Sequence, residues 1–108
     1  MLRFSAAGFA ELPDRFALSQ NYPNPFNPST RIGFALPVPA YVTLRVFNVL
    51  GQVVATLIGG ELHQAGTAEA VFDAGGLPSG IYYYQLQATE VEGGASLFRA
   101  TAKMIVLK

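Results

Sequence analysis

Cysteine and tryptophan are both missing from the 108 residues, and histidine occurs once. Without cysteine there is no disulfide framework, no thiol nucleophile and no Cys-based zinc site, and the redox compartment is left open. Charge is scarce: Asp, Glu, Lys and Arg make up 13% of the chain, against about 25% in an ordinary soluble domain. Seven basic and seven acidic residues cancel, and neither sign clusters, so the basic footprint of a nucleic-acid binder is lacking. Long apolar runs are lacking too. No stretch approaches the ~18 residues of a membrane helix, although the mean hydropathy is positive. That surplus of apolar over charged side chains predicts that a partner, another copy or a neighbouring domain covers part of the surface. The first fifteen residues, MLRFSAAGFAELPDR, contain no continuous apolar core of a secretory signal peptide; if the protein is exported, its signal is expected upstream.

Helical periodicity is a further absence. No window of about eleven residues keeps an apolar stripe at i, i+3, i+4 and i+7 free of Gly, Pro or β-branched runs. What is present is strand-like alternation, recurring roughly every ten residues between Gly and Pro punctuation, which predicts an all-β sandwich or barrel in a single domain. Ile32, Phe34 and Leu36 share one face of a run that Pro37-Val38-Pro39 stops. Val42, Leu44 and Val46 are expected inward, with Thr43 and Arg45 outward. Leu50-Gly51-Gln52 reads as a hairpin turn, and the returning strand Val53–Ile58 is expected to end at Gly59-Gly60. Ala68, Ala70 and Phe72 share a face. After the tight connection Ala74–Gly80, Ile81–Ala88 forms a strand, and a last one runs from about Leu97 to Leu107, with Met104 and Val106 in phase. Six or seven such strands, each with one apolar face, bury those faces if two antiparallel sheets stack.

Between residues 20 and 30 lies QNYPNPFNPST, three prolines and three asparagines around Phe26. Each X-Pro step pushes the preceding residue to extended geometry. The asparagine side chains are expected to bond their own downstream backbone, so the segment needs no ladder. Phe26 is the one large apolar side chain there, and it is expected to plug an open end of the sandwich.

Signals for chemistry are weak. His63, with Glu61 two residues before it, makes neither a metal cluster nor a triad signature, and reads as a solvated loop histidine. Glu69, Asp73, Glu90 and Glu92 fall on different strands and turns; Asp73, before Ala74-Gly75-Gly76, reads as a turn cap. In the triplet Tyr82-Tyr83-Tyr84, alternation sends Tyr82 and Tyr84 to the core, with their hydroxyls at an edge, and leaves Tyr83 as a candidate surface contact. The glycine-rich stretches lack the lysine and strand-to-helix context of a nucleotide site. No catalytic residue, metal, cofactor, nucleic acid or small-molecule substrate is expected.

Three pieces, FALSQNYPNPFNPST, GGLPSGIYYYQL and KMIVLK, in this order and spacing, resemble the type A C-terminal sorting domain of the type IX secretion system, carried by exported proteins of Bacteroidetes and related phyla. The resemblance runs from about Phe16 to Lys108 and reaches the end of the chain, as in that family. It implies an immunoglobulin-like antiparallel β-sandwich of about seven strands over 16–108, behind a linker or N-terminal extension over 1–15. It also implies a non-catalytic role: directing a cargo through the periplasm and outer membrane to the cell surface, with the outer-membrane secretion machinery and a surface sortase as partners. Carried over by position, recognition would fall on Gly80, Ile81 and Tyr82, and on the terminal strand with Lys103, Met104, Val106 and Lys108. Gly51 and Gly66 match the family's turn glycines. Ala68 and Ala70 depart from the pattern, standing where the family often has His and a larger aliphatic residue, so the core there is expected to be under-filled or filled by something else. The opening motif also resembles the Ig-like domain of flagellar hook-capping proteins, but the terminal Lys-Met-x-x-x-Lys favours the sorting domain.

Two other functions fit parts of the chain. A self-assembling structural subunit of an extracellular fibre fits the low charge and the alternation of Leu2, Phe4 and Ala6. With Phe9, these residues could dock on another copy by adding a strand to its sheet edge. A carbohydrate-binding module has only Tyr83 and Tyr41 in its favour.

Overall fold

In the computed structural model, which describes residues 12–108, the alternating segments become seven strands, with no helix among the described residues. They are β1 (Ala17–Leu18), β2 (Ser29–Leu36), β3 (Ala40–Phe47), β4 (Val53–His63), β5 (Gly66–Asp73), β6 (Gly80–Thr89) and β7 (Ser96–Val106). One sheet has the order β1-β2-β5 and the other β4-β3-β6-β7, with every ladder antiparallel. The chain crosses between sheets after β2, β4 and β5, which gives the stacked β-sandwich with Greek-key connections typical of Ig-like domains.

Alternation decides what is inside. Ile32, Leu44, Val46, Tyr84, Leu86, Met104 and Val106 are all fully buried and line the space between the sheets. Thr43, Arg45, Tyr83 and Lys103, one position out of phase, face away. The β3–β4 turn forms as its residues dictate. Asn48 Oδ1 accepts from the N–H groups of Leu50 (2.9 Å) and Gln52 (3.0 Å), and Gly51 takes a φ of 80°, a left-handed conformation that glycine adopts without penalty.

Two expectations are corrected. Gly59-Gly60 does not end β4, which continues to His63. Register shifts at three places along the β3–β4 ladder absorb the extra residues as bulges, and bulges tolerate glycine inside a strand. His63 is therefore no solvated loop residue: it ends β4, is half-buried, and meets the ring of Phe34 edge-on with centroids 5.7 Å apart. Phe34 pairs across β2–β5 with Ala68.

The segment between β1 and β2 belongs to both sheets. Phe26 is 2% exposed and meets Phe72 edge-on at 6.1 Å. Its backbone forms an isolated parallel bridge to Val106 of β7. The bonds before Pro23, Pro25 and Pro28 are cis.

Because Phe26 fills the end of the core, Phe26→Ala is expected to cost ~3–5 kcal/mol, the usual range for a core phenylalanine. The check is chemical denaturation of the parent and variant; an unchanged midpoint would reduce the segment to a linker.

Candidate recognition surface at the terminal strand

The corner that opens β6 is built by glycine and tyrosine together. Gly80 has a φ of 151°, a conformation that strains any residue with a Cβ. Tyr82 turns its side chain into the core, 6% exposed, and its hydroxyl donates to Pro78 O at 2.8 Å. This is the tyrosine corner of Ig-like sandwiches, in which a phenol at the start of a strand ties down the loop leading into it. Between these two residues, Ile81 points outward and is 42% exposed.

β7 lies beside β6 at the sheet edge. Ile81 pairs with Ile105, Tyr82 with Met104 and Tyr83 with Lys103. Met104 and Val106 are fully buried, so within the folded domain they are core and offer a partner no side-chain surface. Lys103 and Lys108 are exposed. Lys108 is nonetheless tied back: its N–H donates to Ser79 Oγ at 2.9 Å and its Nζ to Gly75 O at 2.6 Å. Beside the corner, Val49, Ser79 and Ile81 line a shallow groove of about 410 Å³.

The outer backbone edge of β7 is occupied over its last residues. Phe26 N–H donates to Ile105 O and Leu107 N–H donates to Phe26 O, both at 3.0 Å. Ile105 N–H donates to Asn24 Oδ1 at 2.9 Å, and Gln20 Nε2 to Lys103 O at 2.8 Å. Asn24 thus caps a strand 81 residues away and not its own turn, which corrects the local role expected of it. Sequence reasoning missed this contact, and no spacing could have revealed it.

Asn21 does behave locally, within a buried polar knot. It is 2% exposed, and its Nδ2 donates to Pro23 O (3.1 Å) and to Thr30 Oγ1 (3.0 Å). Its backbone N–H donates to Tyr84 Oη at 2.8 Å, and Tyr84 Oη donates to Ser19 O at 2.6 Å. Among the described residues, no buried side-chain nitrogen or oxygen lacks a partner, as a buried polar group requires. Burial pushes the Tyr84 phenol above its usual 10.0, with the Asn21 N–H pulling weakly the other way.

Among the described residues, the other polar side chains make local contacts. Asp73 Oδ1 accepts from Gly75 N–H at 2.8 Å, the turn cap expected of it. Glu69 stands 4.0 Å from Arg31 across the β2–β5 ladder, both well exposed, a pair of little energetic weight. No group of three or more His, Asp or Glu is placed to hold a metal ion among the described residues. Tyr41 and Tyr83 share the outer face but sit at opposite ends of β3, ~20 Å apart at 3.3 Å per residue, too far to grip one sugar ring. Leu2, Phe4, Ala6 and Phe9 lie outside the described residues.

The family model for the secretion system C-terminal sorting domain matches residues 20–95, more than half of the chain. The chain belongs to this family, the sorting domains of type IX secretion. No curated protein and no solved structure gives a significant match. The matched span holds the proline-rich segment and the Gly80-Ile81-Tyr82 corner and stops just before β7.

Two outcomes are expected of these contacts. In Asn24→Ala the Ile105 amide should exchange with solvent faster than in the parent while Leu107 keeps its Phe26 partner, as followed by hydrogen exchange in NMR. Since the folded pKa of Tyr84 is raised, its contribution to stability is complete below pH 10 and is lost as pH rises past that value. Tyr84→Phe should therefore be less stable at neutral pH, by about 1–3 kcal/mol for the unpaired Asn21 N–H and Ser19 carbonyl, and should show less alkaline loss in pH-dependent thermal melts.

Proposed function

We propose that this domain directs a cargo through the type IX secretion machinery to the cell surface or the extracellular space. The observation that carries the reading is the family match over residues 20–95. A sorting domain of this type implies an exported protein and an interaction with that machinery. In our reading, residues 1–15 link the cargo to the sandwich formed by 16–108. The domain is recognised on the periplasmic side of the outer membrane, and a surface sortase then acts on it. Its work is binding and not catalysis, in keeping with a family of non-catalytic domains.

The recognition elements we assign are the Gly80-Ile81-Tyr82 corner and the neighbouring terminal strand. Gly80, Tyr82, Met104 and Val106 act by shaping the corner and the sheet, whereas Ile81, Lys103 and Lys108 offer surface. The pairing of Ile81 with Ile105 and of Tyr83 with Lys103 makes these two elements one continuous surface, which supports treating them as a single site. The family match lends no support to the fibre reading.

A fusion tests the proposal. A fluorescent reporter that carries its own secretory signal peptide, placed before residue 1, should reach the surface or medium of a bacterium with type IX machinery, and should remain inside a strain lacking it. Equal retention in both strains would refute the sorting role.

A further inference from the structure

An edge strand is usually read through its free backbone groups, by a partner strand that extends the sheet. For the last residues of β7 that mode is closed. The N–H and C=O of Ile105, the C=O of Lys103 and the N–H of Leu107 are engaged by Gln20, Asn24 and Phe26. The inward side chains of the strand are buried. What this end of the domain still offers is the outer face of the four-stranded sheet.

That face has a definite chemistry. Register places Phe47, Tyr83 and Lys103 in one row across β3, β6 and β7, with Ile81 and Ile105 paired beside it. Ile81 is 42% exposed and Tyr83 37%, so a partner would bury apolar surface here. The next row is Arg45, Gln85 and Thr101, and Gln85 Nε2 donates to Thr101 Oγ1 at 3.2 Å on this same face. Arg99 follows one row further, beside Gln87. Strands β3, β6 and β7 contain no Asp or Glu, so each charge they carry is a cation. In a chain with no net charge, this makes one face both apolar and basic.

We infer that the domain is read through this outer face of β3-β6-β7, by a protein surface with an apolar centre and a carboxylate border, and not by strand addition to β7. The inference rests on the sorting reading and names the surface used. Apolar burial supplies the affinity, while the carboxylates opposite Arg45, Arg99 and Lys103 fix orientation and exclude wrong partners.

The test uses the reporter fusion in the type IX bacterium, with each domain variant also melted in purified form to confirm folding. Arg45→Glu/Arg99→Glu/Lys103→Glu, which reverses the face, should lower export at least about tenfold, equivalent to ~1.4 kcal/mol of binding. The charge-keeping Arg45→Lys/Arg99→Lys/Lys103→Arg should export well above the reversal variant, because it restores the sign of the face. Thr101→Pro removes an N–H from the outward side of the open stretch of β7, blocking strand addition there without breaking the β6 ladder; it should export no less than Thr101→Ala, which loses the same outer-face side chain and keeps the N–H. If the triple reversal unfolds, Lys103→Glu alone, at an exposed position, takes its place. Parental export by the folded reversal variant overturns the inference. So does export by folded Thr101→Pro well below that of folded Thr101→Ala, which would identify strand addition. A parent fusion retained inside the cell instead removes the sorting reading, and the surface assignment with it.

Discussion

The structure depends on how the proline-rich segment is fastened to the last strand. A chain that leaves β1 without continuing a ladder carries backbone groups that must find partners elsewhere. Here they find them at the far end of the sequence. Phe26 lends one N–H and one C=O to β7, Asn24 lends a side-chain carbonyl, and the Phe26 ring enters the core between the sheets. One short segment therefore closes the end of the sandwich and covers the last residues of the β7 edge. The Asn21–Thr30–Tyr84 knot holds its other end, so the segment is fixed from both sides.

Fastening of this kind separates two jobs on neighbouring strands. On β6 and β7 the inward residues Tyr82, Tyr84, Met104 and Val106 hold the sheets together. The alternate residues Ile81, Tyr83, Lys103 and Ile105 form the surface that remains. Because strand side chains alternate strictly, a motif such as GIYYYQL or KMIVLK mixes the two jobs at successive positions. Loss of function on changing Met104 or Val106 would report the fold as readily as a contact. Lys103 and Ile81 are the positions at which a contact is separable from the core.

Much of the fold was legible because period-two alternation is a local property. The inward sets Ile32/Phe34/Leu36 and Val42/Leu44/Val46, the left-handed turn at Gly51 and the Asp73 cap each follow from a few adjacent residues. The errors arose where partners decide. Gly59-Gly60 looks like a terminator until the β3–β4 register shows bulges that accept it. His63 looks solvated until Phe34 of the facing sheet is beside it. The tight connection into Gly80 could be read from its own residues, whereas the covering of the last residues of the β7 edge could not.

The sequence by itself determined the strand pattern, the lack of any reactive cluster legible in its motifs, and a resemblance to the sorting family carried by three spaced motifs. Those features reside in residue type and short spacing. Only the tertiary structure decided that Asn24 and Phe26 close the last residues of the β7 edge, and that Arg45, Arg99 and Lys103 share one face with Ile81 and Tyr83. Both depend on strand order and register, which bring residues up to 81 positions apart into contact. The free energy of such a pairing comes from the assembled sheet and core, and no local stretch of sequence contains it.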